Sequence, residues 1–183
     1  ANPFKAVVIK DLAVIDKHPY ESRVDTFFRA GYVTAKFNLR TLLSGNISIG
    51  AAKVTDGELN LVNEPVMIGD SATKQVNLKR IFRLGTNPDQ KKSVSDKEIF
   101  SIGDVRLENM KFTMRNFKRD ASEFGYDGMN WYDLEVDSIY VKGRDLRMKG
   151  GVISGTCDQM SFREKSGYVC RHLSGSTKVG NGK

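Results

Sequence analysis

A chain of 183 residues with 39% hydrophobic and 28% charged content is long enough to bury about 70% of its unfolded surface in one domain, and the balance is that of a folded chain, so disorder is not the expectation. Its net charge of +7, from 29 basic and 22 acidic residues, allows attraction to nucleic acid, phospholipid or acidic glycan without selecting among them. No run of about 18 apolar residues occurs, and the opening Ala1-Asn2-Pro3-Phe4-Lys5 lacks the apolar core of a signal peptide.

The first predicted element is a strand through Val7, Ile9, Leu12 and Val14, whose apolar residues occupy positions 1, 3, 6 and 8 of a template that recurs three more times. After a polar stretch, Val33, Ala35, Phe37 and Leu39 alternate with Thr34, Lys36 and Asn38, the period of a half-buried strand. Residues 40–46, RTLLSGN, read as a short helical turn stopped by glycine. The two fullest copies of the template are ISIGAAKVTDGELNL from Ile47 to Leu61 and FSIGDVRLENMKFTM from Phe100 to Met114, with apolar residues again at positions 13 and 15. Both keep Ser-Ile-Gly at positions 2 to 4. Between them, residues 62–76 are poor in strand signals. NLKRIFRLG then predicts a short helix capped by Asn77, with Leu78, Ile81 and Phe82 on one face and Gly85 beyond its end. Residues 86–96 read as a loop. A second loop, residues 119–134, holds the only tryptophan, Trp131, beside Tyr126 and Tyr132. Such a knot more often locks a loop onto a sheet than forms a binding patch. The last copy, LEVDSIYVKGRDLRM from Leu134 to Met148, is followed by Val152, Ile153, Met160, Phe162, Tyr168, Val169 and Leu173 as further strand material. The tail STKVGNGK stops mid-pattern, and a sheet that stops so leaves an open edge. The expectation is one β-rich repeat domain over residues 1–183, a fragment of a longer protein.

A spacing of two means strand, because side chains of extended chain alternate faces. The step of three between positions 3 and 6 would flip the second pair to the wrong face unless a β-bulge absorbs one residue, and Gly50 suits that kink. Between positions 8 and 13 the middle residues are Asp56-Gly57, Asn109-Met110 and Gly143-Arg144. Two-residue hairpins there would set Val54 opposite Leu59, Leu107 opposite Phe112, and Val141 opposite Leu146. One apolar face results. Its lining residues are Val7, Ile9, Leu12 and Val14 in the first copy and Ile47, Ile49, Val54, Leu59 and Leu61 in the second. The third contributes Phe100, Ile102, Val105, Leu107, Phe112 and Met114, and the last Leu134, Val136, Ile139, Val141, Leu146 and Met148. The predicted fold is mostly β: a curved antiparallel sheet with one or two short helices, either open as a groove or half-barrel or closed on itself as a sandwich. An open face would exceed the few hundred Å² of apolar patch that soluble monomers tolerate, so it calls for a guest or a partner.

Catalytic patterns are sparse. The two histidines, His18 and His172, lie far apart, and the G-x-S-x-G, phosphate-loop and H-E-x-x-H signatures do not occur. Asp133, Glu135, Asp137 and Asp145 crowd the last repeat, but Glu135 alternates with Leu134 and Val136 and is expected on the outer face. No enzymatic activity, cofactor or metal is expected. Cys157 and Cys170 lie thirteen apart and read either as a disulfide or as two buried free thiols. Lys142, Arg144, Arg147 and Lys149 take the polar positions of the last repeat, a solvated strand face. Aromatic residues do not interleave with the basic clusters, so nucleic acid is not an expected partner.

The run FNLRTLLSGNISIGAAKVTDGELNLVNE, the later NLKRIF, FSIGDVRLENMKFTMRN, GMNWYDLEVDSIYVKG and the closing MSFREKSGYVCRHLSGSTKV resemble the N-terminal periplasmic region of TamB proteins of Bacteroides-type bacteria, part of the AsmA-like group. Leu39, Leu42, Leu43 and Gly45 match the family's short turn, and Ile47, Ile49, Ala52 and Val54 the strand pattern that follows it. The likeness covers most of the chain and lies in the order of motifs, each weak alone. It implies a taco-like β-groove whose apolar inner face shields lipid acyl chains on their way between inner and outer membrane. It further implies a periplasmic location, with anchoring in the inner membrane by a segment absent here. A role as a scaffold for outer-membrane protein assembly, binding partners by strand addition, is the alternative it carries. The partners so implied are phospholipid or another acyl lipid and an outer-membrane assembly protein.

Overall fold

The computed structural model describes residues 4–16, 26–38, 47–68, 71–81, 98–116, 128–149 and 152–180. They form one eight-stranded sheet: β1 (Phe4–Ile15), β2 (Thr26–Asn38), β3 (Ile47–Ile68), β4 (Ser71–Val76), β5 (Glu98–Asn116), β6 (Asp133–Lys149), β7 (Val152–Glu164) and β8 (Val169–Val179). The strand order is β1-β2-β3-β5-β6-β7-β8, with β4 paired to β3. The sheet is open, with β1 and β8 at its two edges. The chain is thus mostly β, as its period-two patterning requires.

The hairpins expected inside the repeats do not form. β3, β5 and β6 run straight through Asp56-Gly57, Asn109-Met110 and Gly143-Arg144 as strands of 22, 19 and 17 residues. Val54 lies opposite Val33 and Leu107, Leu59 opposite Phe28 and Phe112, and Val141 opposite Leu107 and Met160. In place of a reversal, one residue per crossing takes left-handed backbone: φ is 55° at Asp56, 52° at Asn109 and 56° at Asp145. Asp and Asn tolerate that region better than other side chains. A single left-handed residue bends a strand and absorbs the odd step, so the apolar phase is kept without turning the chain back.

These corners line up. The register brackets Asp11 (φ 52°) with Gly31, Gly31 with Asp56, and Asp56 with Asn109. Asn109 Nδ2 donates to Asp56 Oδ1 at 2.5 Å, a side-chain rung along the bend. A second line passes through Gly50, Gly103 and Asp145. There the register skips Gly50, between Lys36 opposite Ala51 and Phe37 opposite Ile49, the bulge that the spacing predicts. The curvature of the sheet follows from these two lines.

One pairing departs from the antiparallel expectation: β3 and β5 are parallel. The two fullest repeats stack position on position, Ile47 beside Phe100 through Leu61 beside Met114. A parallel pair needs a long crossover, and residues 69–97 supply it. Residues 62–76, read as poor in strand, form the end of β3 and its hairpin partner β4, with Asn63 opposite Val76 and Ile68 opposite Ser71. Pro65 obscured this segment in the sequence. It sits where β3 is paired with β4 alone among the described residues, and strand proline is tolerated where one side is free.

The described part of the helix, α1 (Asn77–Ile81), lies where the sequence places it, and its Asn77 serves the sheet more than the helix. Asn77 Oδ1 accepts from Val62 N at 3.1 Å and from Leu78 N at 2.9 Å, while Nδ2 donates to Asn60 O at 2.8 Å. Asn60 in turn donates to Thr26 O and accepts from Thr113 Oγ1 at 2.5 Å. Leu78, placed on the buried face by its spacing, is exposed. The glycine-stopped turn at 40–46, Phe82, Gly85, the loop at 86–96 and Tyr126 lie outside the described residues. Asn77→Ala strands two buried backbone groups, each worth about 1–3 kcal/mol. A stability loss of about 2–4 kcal/mol is expected in urea denaturation; a loss under about 0.5 kcal/mol would contradict this role.

Candidate functional site

Residues directly opposite in a ladder project from the same face, so the register reads out the wall row by row. The central row crosses every strand of the main path: Ile9, Val33, Val54, Leu107, Val141, Met160 and Leu173. Toward one end lie Leu12, Ala30, Gly57, Met110 and Ile139, then Val14, Phe28, Leu59, Phe112 and Val136, then Leu61, Met114 and Leu134. Toward the other lie Val7, Ala35, Ala52, Val105, Gly143, Cys157 and Gly175. Beyond them come Phe37, Ile49, Ile102 and Leu146, and finally Ile47, Phe100, Met148, Ile153 and Val179. Each lining residue named from the sequence falls in one of these rows.

Burial grades across the wall. Ala30, Met110, Leu134 and Val136 are buried, most other described members are half-buried, and Val7, Ile9, Leu173 and Val179 on the edge strands and Ile153 at the start of β7 are exposed. Among the described residues no second sheet covers this face. Several row members escaped the template. Phe28, Val33 and Phe37 belong to β2, which carries no copy of it; Met110 was assigned to a turn; Met160, Leu173 and Val179 lie on strands whose bulges break the period. Their alternation was visible, but not their register.

One carboxylate enters the rows. Glu164, opposite Val136, is 1% exposed. Its Oε2 accepts from Ser166 N at 2.8 Å and from Ser166 Oγ, while Oε1 has no hydrogen-bond partner among the described residues. The side chain thereby braces the turn between β7 and β8.

The other face is charged over most of its extent, but at one end Phe27, Asn60, Val62 and Thr113, which alternate with row residues, are buried. Lys53 and Arg106 both reach Glu108, at 2.7 and 2.6 Å; Arg29 pairs with Glu58 at 2.6 Å, and Lys111 with Glu135 at 2.5 Å. Asp133 bonds Lys165 and faces Arg115, and Asp145 meets Arg147, so Asp133, Glu135 and Asp145 are spread among separate cations, while Asp137 accepts from Ser138 Oγ at 2.8 Å. Lys142, Arg144, Arg147 and Lys149 are exposed, as their polar positions predict. A shallow cleft of about 350 Å³ follows the first bend, lined by Arg29, Glu58, Asn109, Lys111 and Asp137 among others.

The hydrogen bond from Lys53 holds the Glu108 carboxyl below the ordinary value of 4.5, and the bond to Glu135 holds Lys111 above 10.5. A lowered carboxylate stabilises the fold above its unfolded value and loses that contribution as pH falls through the folded one; a raised lysine does the reverse at high pH. Both are well hydrated, so the effect is small. Glu108→Gln should flatten the acid limb of thermal stability below about pH 4.5, and Lys111→Met the alkaline limb. Parallel curves for wild type and variant would contradict the pairing.

The cysteines do not pair. Cys157 faces Gly175 on β8, and Cys170 faces Phe162 on β7. Five residues of strand separate them, roughly 17 Å, against a limit of about 7 Å between disulfide Cα atoms. Both are free and half-buried rather than buried. Trp131, expected to lock its loop onto the sheet, is instead 63% exposed.

The described residues define a class: an open β-sheet with one apolar face that no second described sheet covers and an opposite face that is largely ion-paired. Comparison with family models, curated proteins and solved structures finds no match to this chain.

Proposed function

We propose that this chain is a section of a groove that shields lipid acyl chains, working in the periplasm between inner and outer membrane within a longer, inner-membrane-anchored protein. The observation that carries the reading is the central row, apolar on all seven strands of the main path and uncovered among the described residues. Six strand spacings of about 4.8 Å make it roughly 29 Å long, more than an extended acyl chain of ordinary length. At about 0.8 kcal/mol per buried CH₂, such a wall would retain an acyl chain, and its uniform side chains give no position that would stop it sliding. The family resemblance points to the same activity and supplies the compartment. Native mass spectrometry of the purified protein should show adducts of phospholipid or fatty-acid mass. A clean protein mass together with no uptake of a fluorescent fatty acid would overturn the reading.

A second reading is favoured by the two edges. β1 and β8 each leave one side unpaired by another described strand, and such edges accept an added strand from a partner. In this reading the chain is a scaffold for outer-membrane protein assembly. Crosslinking from Val179 to an unfolded β-barrel substrate supports it. Crosslinking to lipid alone favours the groove.

A further inference from the structure

We propose that the β8 edge, together with the turns that precede β6 and β8, docks onto an anionic membrane surface. The proposal goes beyond the acyl-shielding reading, since it concerns the β8 rim at which the rows end, with its cations and turns, and not the interior of the wall.

The segment from Lys165 to Gly180 contains Lys165, Arg171, His172 and Lys178 and no Asp or Glu. All of it is exposed except Cys170. Among the described residues no ion pair holds Arg171 or Lys178, whereas Arg163 faces Asp137 across the ladder. Tyr168, Val169, Leu173 and Val179 are large apolar side chains more than half exposed on the same strand or at its start. β1, the opposite edge, has comparable exposed apolar residues but carries Asp11 beside Lys10. Cations with apolar side chains and no acid are the composition that anionic lipid surfaces attract.

Trp131 extends this surface back from β8 across β7 to the start of β6. It belongs to the turn in which Asp133 N bonds Asn130 O, and that turn is tied to the β7–β8 turn. Lys165 Nζ lies 2.5 Å from Asp133 Oδ2, and Lys165 N donates to Glu135 O at 3.0 Å. The β7–β8 turn is itself held by Glu164, with Glu164 N bonded to Tyr168 O at 2.8 Å and Gly167 at a φ of 99° that suits glycine. Trp131 and Tyr168 therefore stand on two braced turns that the Lys165–Asp133 ion pair ties together. Exposed Trp and Tyr beside Lys are the anchors of a membrane interface, apolar in the ring and polar at the tip.

The occupant follows from this placement. A partner strand added to β8 would lie on the far side of β7 and β8 from the β6 turn, leaving Trp131 uncovered. A lipid surface covers both. Its negative charge complements the basic edge.

Trp131 is the only tryptophan, so its emission reports docking directly. With vesicles of equal phosphatidylglycerol and phosphatidylcholine at low salt, we expect a blue shift, quenching by brominated lipid, and co-flotation. Pure phosphatidylcholine should give none of these. Each basic residue near an anionic surface contributes about fivefold in binding, so R171Q/K178Q should weaken docking about 25-fold and R171E/K178E further. Added salt should do the same. Unchanged vesicle binding by both double variants, equal binding to neutral vesicles, no binding to anionic vesicles, or capture of an acidic extended peptide without vesicle binding would each overturn the proposal. Lipid adducts in native spectra of the double variants are read in parallel. Docking lost with adducts retained separates the rim from the wall, whereas adducts absent from wild type as well overturn the groove reading alone.

Discussion

Leu107→Asp is expected to weaken acyl-chain binding at least about 100-fold, measured by displacement of a fluorescent fatty acid. Leu107 is the middle residue of the central row, with Val54 and Val141 beside it. A carboxylate there removes contact with several CH₂ groups, at about 0.8 kcal/mol each, and must be desolvated when an acyl chain covers it. The position is half-buried rather than enclosed, so the unloaded protein can hydrate the new charge and keep its fold. Leu107→Ser, without a charge, should lose about tenfold. Lys53→Ser on the ion-paired face should leave binding unchanged. Equal affinity for wild type and Leu107→Asp would contradict a role for this wall in lipid binding.

Gly103→Ala is expected to destabilise the fold by about 1–3 kcal/mol or more, the cost of overpacking where backbone must move. A Cβ on Gly103 would stand 2.6 Å from Gly50 O on the neighbouring parallel strand. No flexible side chain can yield there, so β3 and β5 must part along the second bend line. Gly175→Ala is the control, because nothing lies within 4 Å of the added carbon, and its effect should stay within about 0.5 kcal/mol. Equal urea midpoints for the two variants would contradict the close approach at the bend.

The apolar face was legible because burial on one side of a sheet forces period two, and the bulge at Gly50 because the step of three demands it. Strand direction was hidden. The template places apolar residues at 1, 3, 13 and 15, a set that reads nearly the same backward. Phe100 therefore meets Ile47 in a parallel pair and Met148 in an antiparallel one with equal fit. Asp56-Gly57 misled for a related reason. The residue preferences of a two-residue hairpin and of a single left-handed corner are the same, and only pairing on both sides of β3 decides between them. Asn77, read as the helix cap, does accept from Leu78 N, but its other partners Asn60 and Val62 are fifteen or more residues away, beyond what local capping rules can see. The continuity of the rows into β2, β7 and β8 likewise depends on bulge positions that carry no fixed residue signature.

The native thiol of Cys157 gives the most direct test of the wall. It stands in the row of Val105, Gly143 and Gly175, whereas its neighbour Thr156 projects from the other face. With Cys170→Ser in both proteins, a bimane fluorophore is attached either to Cys157 or to a cysteine replacing Thr156 in the absence of Cys157. A fatty acid carrying a mid-chain nitroxide is then added. Strong quenching at position 157 and little at 156 is the predicted result; equal quenching at the two positions, or none at 157, would contradict an acyl-binding apolar face.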